Sequence, residues 1–149
     1  MKNIKLMALT LMMGLMGFAS TPAKAEIGYL DYAKILENYP AAQQAVKEID
    51  AKQLELQQYM VDKERQYKSL DTPLKKQNFE AQTSSEFASK QEALLRLKEQ
   101  KETQIFNQVQ AVAKQIMVSQ HLDAILADQV IFVGGVDITD LVLQRLKGQ

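Results

Sequence analysis

The chain has 149 residues, with 18 basic and 18 acidic side chains and no cysteine. A balanced charge leaves no basic excess to neutralise phosphates, which argues against nucleic acid as a partner. The lack of cysteine excludes disulfide staples, thiol redox chemistry and cysteine-ligated zinc.

The first element is a leader. Lys2 and Lys5 precede an apolar run from Leu6 to Ala19, followed by Ser20-Thr21-Pro22 and Ala23-Lys24-Ala25. Charge, apolar run and a small-residue site in that order predict a secretory signal peptide cleaved after Ala25. The run falls short of the roughly 20 residues of a membrane span, so an uncleaved anchor is the lesser reading. Removing residues 1–25 takes away Lys2, Lys5 and Lys24 and five of the seven methionines, leaving 15 basic and 18 acidic residues. Of the methionines only Met60 and Met117 remain, so no methionine-rich binding groove is expected. The rest has the length of one domain.

Ile27 to Leu30 reads as a strand, and Tyr32 to Glu37 as one or two helical turns. Asn38-Tyr39-Pro40 punctuates them, with Pro40 in the first turn of a new helix, where its missing N–H costs nothing. From Pro40 to Leu70 there is no glycine and no further proline. Positions 42, 46, 49, 53, 56, 60, 63, 67 and 70 form a coiled-coil seam broken by Gln53 and Lys63. Asp71-Thr72-Pro73 stops this helix and starts the next, with Thr72 as N-cap.

The second helix is predicted from Pro73 to about Gln120. Folding the chain at Asp71-Thr72 pairs positions that add to about 143. Val46 then meets Leu97, Ile49 meets Leu94, Leu56 meets Phe87, Met60 meets Thr83, and Lys63 meets Glu80 as a possible ion pair. An arm of some thirty residues would be about 45 Å long. The second helix outlasts the first, and its extra stripe of Ile105, Val109, Val112 and Ile116 should pack on the strands or on another subunit.

Ala124 to Ala127 and Val130 to Val133 are predicted as a β-hairpin around Asp128-Gln129. Gly134-Gly135 ends it as a turn. Asp137 is the expected N-cap of a last helix with Ile138, Leu141, Val142 and Leu146 on its apolar face.

These residues carry a resemblance. The leader, the Ile27-Gly28-Tyr29-Leu30-Asp31 strand, Pro40 at the head of a coiled-coil hairpin, and the closing Leu122-Asp123-Ala124-Ile125-Leu126, Val130-Ile131-Phe132-Val133 and Asp137-Ile138-Thr139-Asp140 segments are similar to the OmpH/Skp family of periplasmic chaperones. The resemblance covers essentially the whole chain after the leader. Its specific parts are the two ends. It implies an α+β, mainly α fold: a long antiparallel coiled-coil hairpin attached to a small β-rich trimerisation body. Residues 26–39 and 121–149 would form the body, and 40–120 the arm, with its tip near 70–73. It implies a homotrimer whose arms enclose a cavity that holds unfolded outer-membrane β-barrel proteins without ATP. The chain departs from the best-known member, which is strongly basic, whereas this one is slightly acidic after the leader. That weakens any carry-over of binding to lipopolysaccharide.

No catalytic constellation is present, so the expectation is not an enzyme, with no cofactor and no metal. His121 is the sole histidine and sits near a helix end, where the dipole favours its charge. Lys75, Lys76, Lys90, Arg96, Lys98 and Lys101 are interleaved with Glu80, Glu86, Glu92, Glu99 and Glu102, which reads as a solvated, ion-paired face. Lys75 and Lys76 are the one candidate for anionic-lipid contact. Tyr59, Met60, Tyr67, Phe79 and Phe87 are candidate contacts for an unfolded chain; Tyr67 and Phe87 fall on the seam, Tyr59 and Phe79 off it. Many weak contacts of this kind would bind by avidity and release without a nucleotide switch. The thin distal seam suggests tips that flex more than the roots. A structural coiled-coil protein of the envelope, or an adaptor subunit of an envelope complex, is the alternative.

Overall fold

The computed structural model describes residues 25–148, so the proposed leader and its cleavage site lie outside the described residues, except for Ala25. The elements, in chain order, are β1 (Ile27–Leu30), α1 (Tyr32–Asn38), α2 (Pro40–Lys68), α3 (Pro73–Ser119), β2 (Ala124–Ala127), a 3-10 turn (Asp128–Val130), β3 (Val136–Asp137) and α4 (Thr139–Lys147). The fold is thus mainly helical, with a long hairpin of α2 and α3 and a small sheet built from both chain ends.

Tyr39 breaks α1 from α2. Preceding Pro40, it is pushed into extended backbone, at φ −90° and ψ 117°. Its N–H still donates to Ile35 O at 2.9 Å, and its carbonyl accepts from Gln43. At the tip, α2 ends in an αR C-cap at Ser69, and the Thr72 hydroxyl accepts from Lys75 N at 3.4 Å to start α3.

The hairpin register differs from the expected one. Lys63 meets Glu86, not Glu80; Glu55 meets Lys90; Glu48 meets Lys101; Tyr67 meets Phe79; and Tyr39 meets Gln108. Each partner on α3 lies two to six residues later than a sum of 143 assigns. Side chains lean toward the N-terminus of their own helix. Those of α2 lean toward the root and those of α3 toward the tip. Side chains therefore meet when the α3 residue lies rootward of its partner's level.

The seam also rotates. Ala42 and Ala45 are buried, while Val46 is 56% exposed. Further out Tyr59 and Phe79 turn inward, and Met60 faces out.

The core lies at the root. Ile105, Val109, Val112 and Ile116 of α3 pack with Ile35 and Tyr39 at the start of the chain and Ile138, Val142, Leu143 and Leu146 near its end. The stripe thus has a partner within its own chain, supplied by α1 and α4. Ile35, Val112, Ile116 and Val142 are fully buried, each contributing about 1.5–3 kcal/mol.

The sheet has the order β2-β1-β3, and both neighbours run parallel to β1. Ile27 pairs with Ala124 and Leu30 with Ala127 on one side; Gly28 pairs with Val136 on the other. The expected hairpin does not form. Ile131 N–H closes a 3-10 turn onto Asp128 O at 3.0 Å, and residues 130–135 carry the chain across to the far side of β1. Gly134 and Gly135 make that crossing at φ 86° and 90°. A Cβ at Gly135 would lie 3.1 Å from the Tyr29 ring.

Each residue of Asp137-Ile138-Thr139-Asp140 has a job. Asp137 Oδ1 accepts from Thr139 N at 2.9 Å, although the helix cap itself is Ile138. Ile138 enters the core. The buried Thr139 hydroxyl accepts from Asp31 N at 2.9 Å, and Asp140 pairs with Lys34 at 2.8 Å. The end of the chain is thereby fastened to its beginning.

Candidate functional site

Three open apolar grooves run from the distal arm to its junction with the sheet. The distal one, about 420 Å³, is lined by Met60, Tyr67, Phe79 and Phe87 with Thr83 between them. It brings together four of the five candidate contact residues. The fifth, Tyr59, does not line it. A middle groove of about 600 Å³ runs along Leu36, Val46, Ile49 and Ile105. A third, about 400 Å³, lies between α3 and the sheet, over Val109, Met117, Ile125 and Leu126.

Tyr32 and Phe106 line both proximal grooves, their rings edge to face at 6.4 Å. Phe106 is 53% exposed. Sequence reasoning did not single out this pair. The signal was Phe106 beside the Ile105 stripe, with Tyr32 just after the first strand. The packing of Tyr32 raises its pKa, with Glu102 adding to the effect.

The distal seam is not a row of aliphatic side chains. Lys90 Nζ lies 5.1 Å from the Tyr59 ring, and Lys63 Nζ lies 5.2 Å from Tyr59 and 5.4 Å from Phe79. Phe79 stacks at 6.3 Å on Tyr67, and Lys76 Nζ lies 5.3 Å from Tyr67. These distances fall within cation–π range. The result is a cation–aromatic ladder running from Lys90 to Lys76.

Glu86 anchors the ladder. It accepts from the Tyr59 hydroxyl at 2.6 Å, from Gln82 Nε2 at 2.7 Å and from Lys63 Nζ at 3.1 Å. Hydrogen bonds to its charged form, Tyr59's foremost, hold its pKa down at about 2. Burial, then the bond to Glu86, pushes Tyr59 up to about 12.

Lys75 and Lys76, the candidate lipid contacts, are both engaged. Lys75 pairs with Asp71 at 2.9 Å, and Lys76 covers Tyr67. Glu80, freed from its expected pairing, raises the pKa of the Tyr67 phenol beside it. His121 takes a left-handed conformation, φ 55°, just after α3. Its N–H donates to Val118 O at 3.3 Å and that of Leu122 to Met117 O at 2.9 Å, closing the helix end.

In the body, Val130, Phe132 and Val133 are 68%, 102% and 87% exposed. Among the described residues no helix is long and apolar enough to cross a membrane, and no acidic or histidine cluster could hold a metal.

A family model described as "Outer membrane protein (OmpH-like)" matches residues 26–146. That is most of the chain, and the chain belongs to the OmpH family. No curated protein matches it.

Proposed function

We propose that this OmpH family member is an ATP-independent holdase of the periplasm, binding unfolded outer-membrane proteins and keeping them from aggregating. The observation that carries the reading is the dispersal of three open apolar grooves, from the distal arm to the junction of α3 with the sheet. An enzyme or a selective receptor needs one convergent pocket. A chain that must hold many sequences is better served by several shallow contacts acting together. On this reading residues 1–25 are removed on export. Residues 26–39 and 121–149 form the body, and 40–120 the arm.

The working unit is a homotrimer. Exposed Val130, Phe132 and Val133 and the outer edges of β2 and β3, unpaired among the described residues, support this, because unpaired edges and apolar patches seek partners. Phe132→Asp is expected to sediment as a monomer.

The test dilutes a urea-denatured outer-membrane β-barrel into buffer with and without the pure protein. Full protection that ATP does not alter is expected. A chain lacking Gln57 to Glu86, closed by a short turn, keeps the Glu48–Lys101 pair and both ends. It should still assemble but protect far less well, because the distal groove is lost. Equal protection by the shortened chain would place binding on the body and defeat the arm mechanism.

A further inference from the structure

The two halves of the arm are held together by different physics. At the root, Ala42, Ala45, Leu94 and Ile105 are buried. Beyond Leu56 no residue of the arm is buried, and the helices are joined by the cation–aromatic ladder and the donors converging on Glu86. We propose that Tyr59, Lys63 and Glu86 form a latch, and that residues 56–87 open and close as one unit while the root stays packed.

The argument rests on what each half loses when it opens. Parting the root exposes apolar surface to water, a cost that salt does not relieve. Parting the distal half gives up charge-assisted hydrogen bonds that water and ions partly replace. Tyr59 and Lys63 lie one helical turn apart on α2 and both reach the same carboxylate, so losing Glu86 removes both cross-helix bonds at once. The two freed helical segments have little apolar surface of their own to keep them ordered. Opening therefore spreads to the tip, as a local cooperative unit does.

Opening also uncovers chemistry that the closed arm hides. Thr83 Oγ1 is buried beside the distal groove, with no hydrogen-bond partner among the described residues. Releasing the latch bares it with the inner faces of Phe79 and Phe87. On the holdase reading these faces grip an extended client segment, but the latch itself stands apart from that reading.

Hydrogen exchange read by mass spectrometry on the whole protein, without client, tests the latch alone. Glu86→Gln removes the charge, and Tyr59→Phe removes one donor while keeping the ring. Both should raise exchange across 56–87, by about tenfold for Glu86→Gln, and leave 42–49 and 94–109 unchanged. Wild-type exchange in 56–87 should climb toward the variant's in 1 M salt, where the Debye length is about 3 Å. Lys101→Gln, which breaks a root pair, should change little. Unchanged protection of 56–87 in both variants, or a rise spread evenly along the arm, overturns the proposal.

Discussion

The hydroxyl of Tyr39 donates to Oε1 of Gln108 at 3.0 Å, joining the α1–α2 break to the last third of α3 across 69 residues. The ring itself is buried, at 6% exposure. The residue that ends one helix thus also fixes the angle at which the arm leaves the body. Tyr39→Phe should cost about 0.5–1.5 kcal/mol, the net worth of one hydrogen bond. Tyr39→Ala should cost about 3–5 kcal/mol through the cavity it leaves. Urea unfolding of the two variants separates the bond from the packing.

The stripe on α3 gives a sharper contrast. Val112 and Ile116 are fully buried, and Met60 is 45% exposed. Ile116→Ala should destabilise by about 2–5 kcal/mol, and Met60→Ala by no more than about 0.5 kcal/mol. Thermal melts of the whole chain check both. A large loss at Met60 would mean that it is covered in solution.

Acid should loosen the distal arm, though only well below physiological pH. Glu86 falls to about 2 in the folded chain from an ordinary 4.5. A lowered carboxylate contributes stability above its unfolded pKa and loses it as pH falls through the folded one. The window is therefore pH 4.5 down to about 2. Asp137 is lowered too, chiefly by Thr139, so the body also weakens in acid. Region-resolved exchange distinguishes them, and Glu86→Gln should shrink the distal response, leaving the part that Glu64 and Asp71 contribute. Tyr59 works in the opposite sense. Its share is full below about 10 and goes as pH rises through about 12.

Two backbone positions should respond with opposite signs. His121 occupies a left-handed conformation that favours glycine, so His121→Gly should raise stability by up to about 1 kcal/mol. Gly135→Val should lower it, because φ is 90° and the new Cβ would lie 3.2 Å from the carbonyl oxygen of Ile27. Calorimetry of the pair reads both signs. A His121→Gly chain less stable than wild type would show that the imidazole makes a contact worth more than the strain.

The helices were legible because their ends are written locally: Asp31 caps α1, Pro40 opens α2, and Thr72-Pro73 opens α3. The seam was legible only to within a residue or so. Val46 and Met60 outrank Ala45 and Tyr59 in apolarity, but the close approach of the helices at the root admits the small side chain. Farther out, charged partners recruit the phenol. Strand pairing was not legible at all. Val130 to Val133 has a strand's composition, yet the other edge of β1 is reached only by crossing over, and pairing across 97 residues leaves no trace in local pattern. The distal groove was foreseen as residues but not as a site, because Tyr67 and Phe79 come together only in the register that side-chain lean selects.

The central strand of the sheet is the first element among the described residues, and both of its neighbours lie after residue 123. During synthesis β1 therefore waits, unpaired, until almost everything else has been made. The arm does not wait: a short turn joins α2 to α3, short loops close fast, and the pairing can spread from the tip toward the root. The order of assembly follows from contact order, with hairpin first and sheet last. Until the final helix arrives, this chain is itself an unfolded client with an open strand edge.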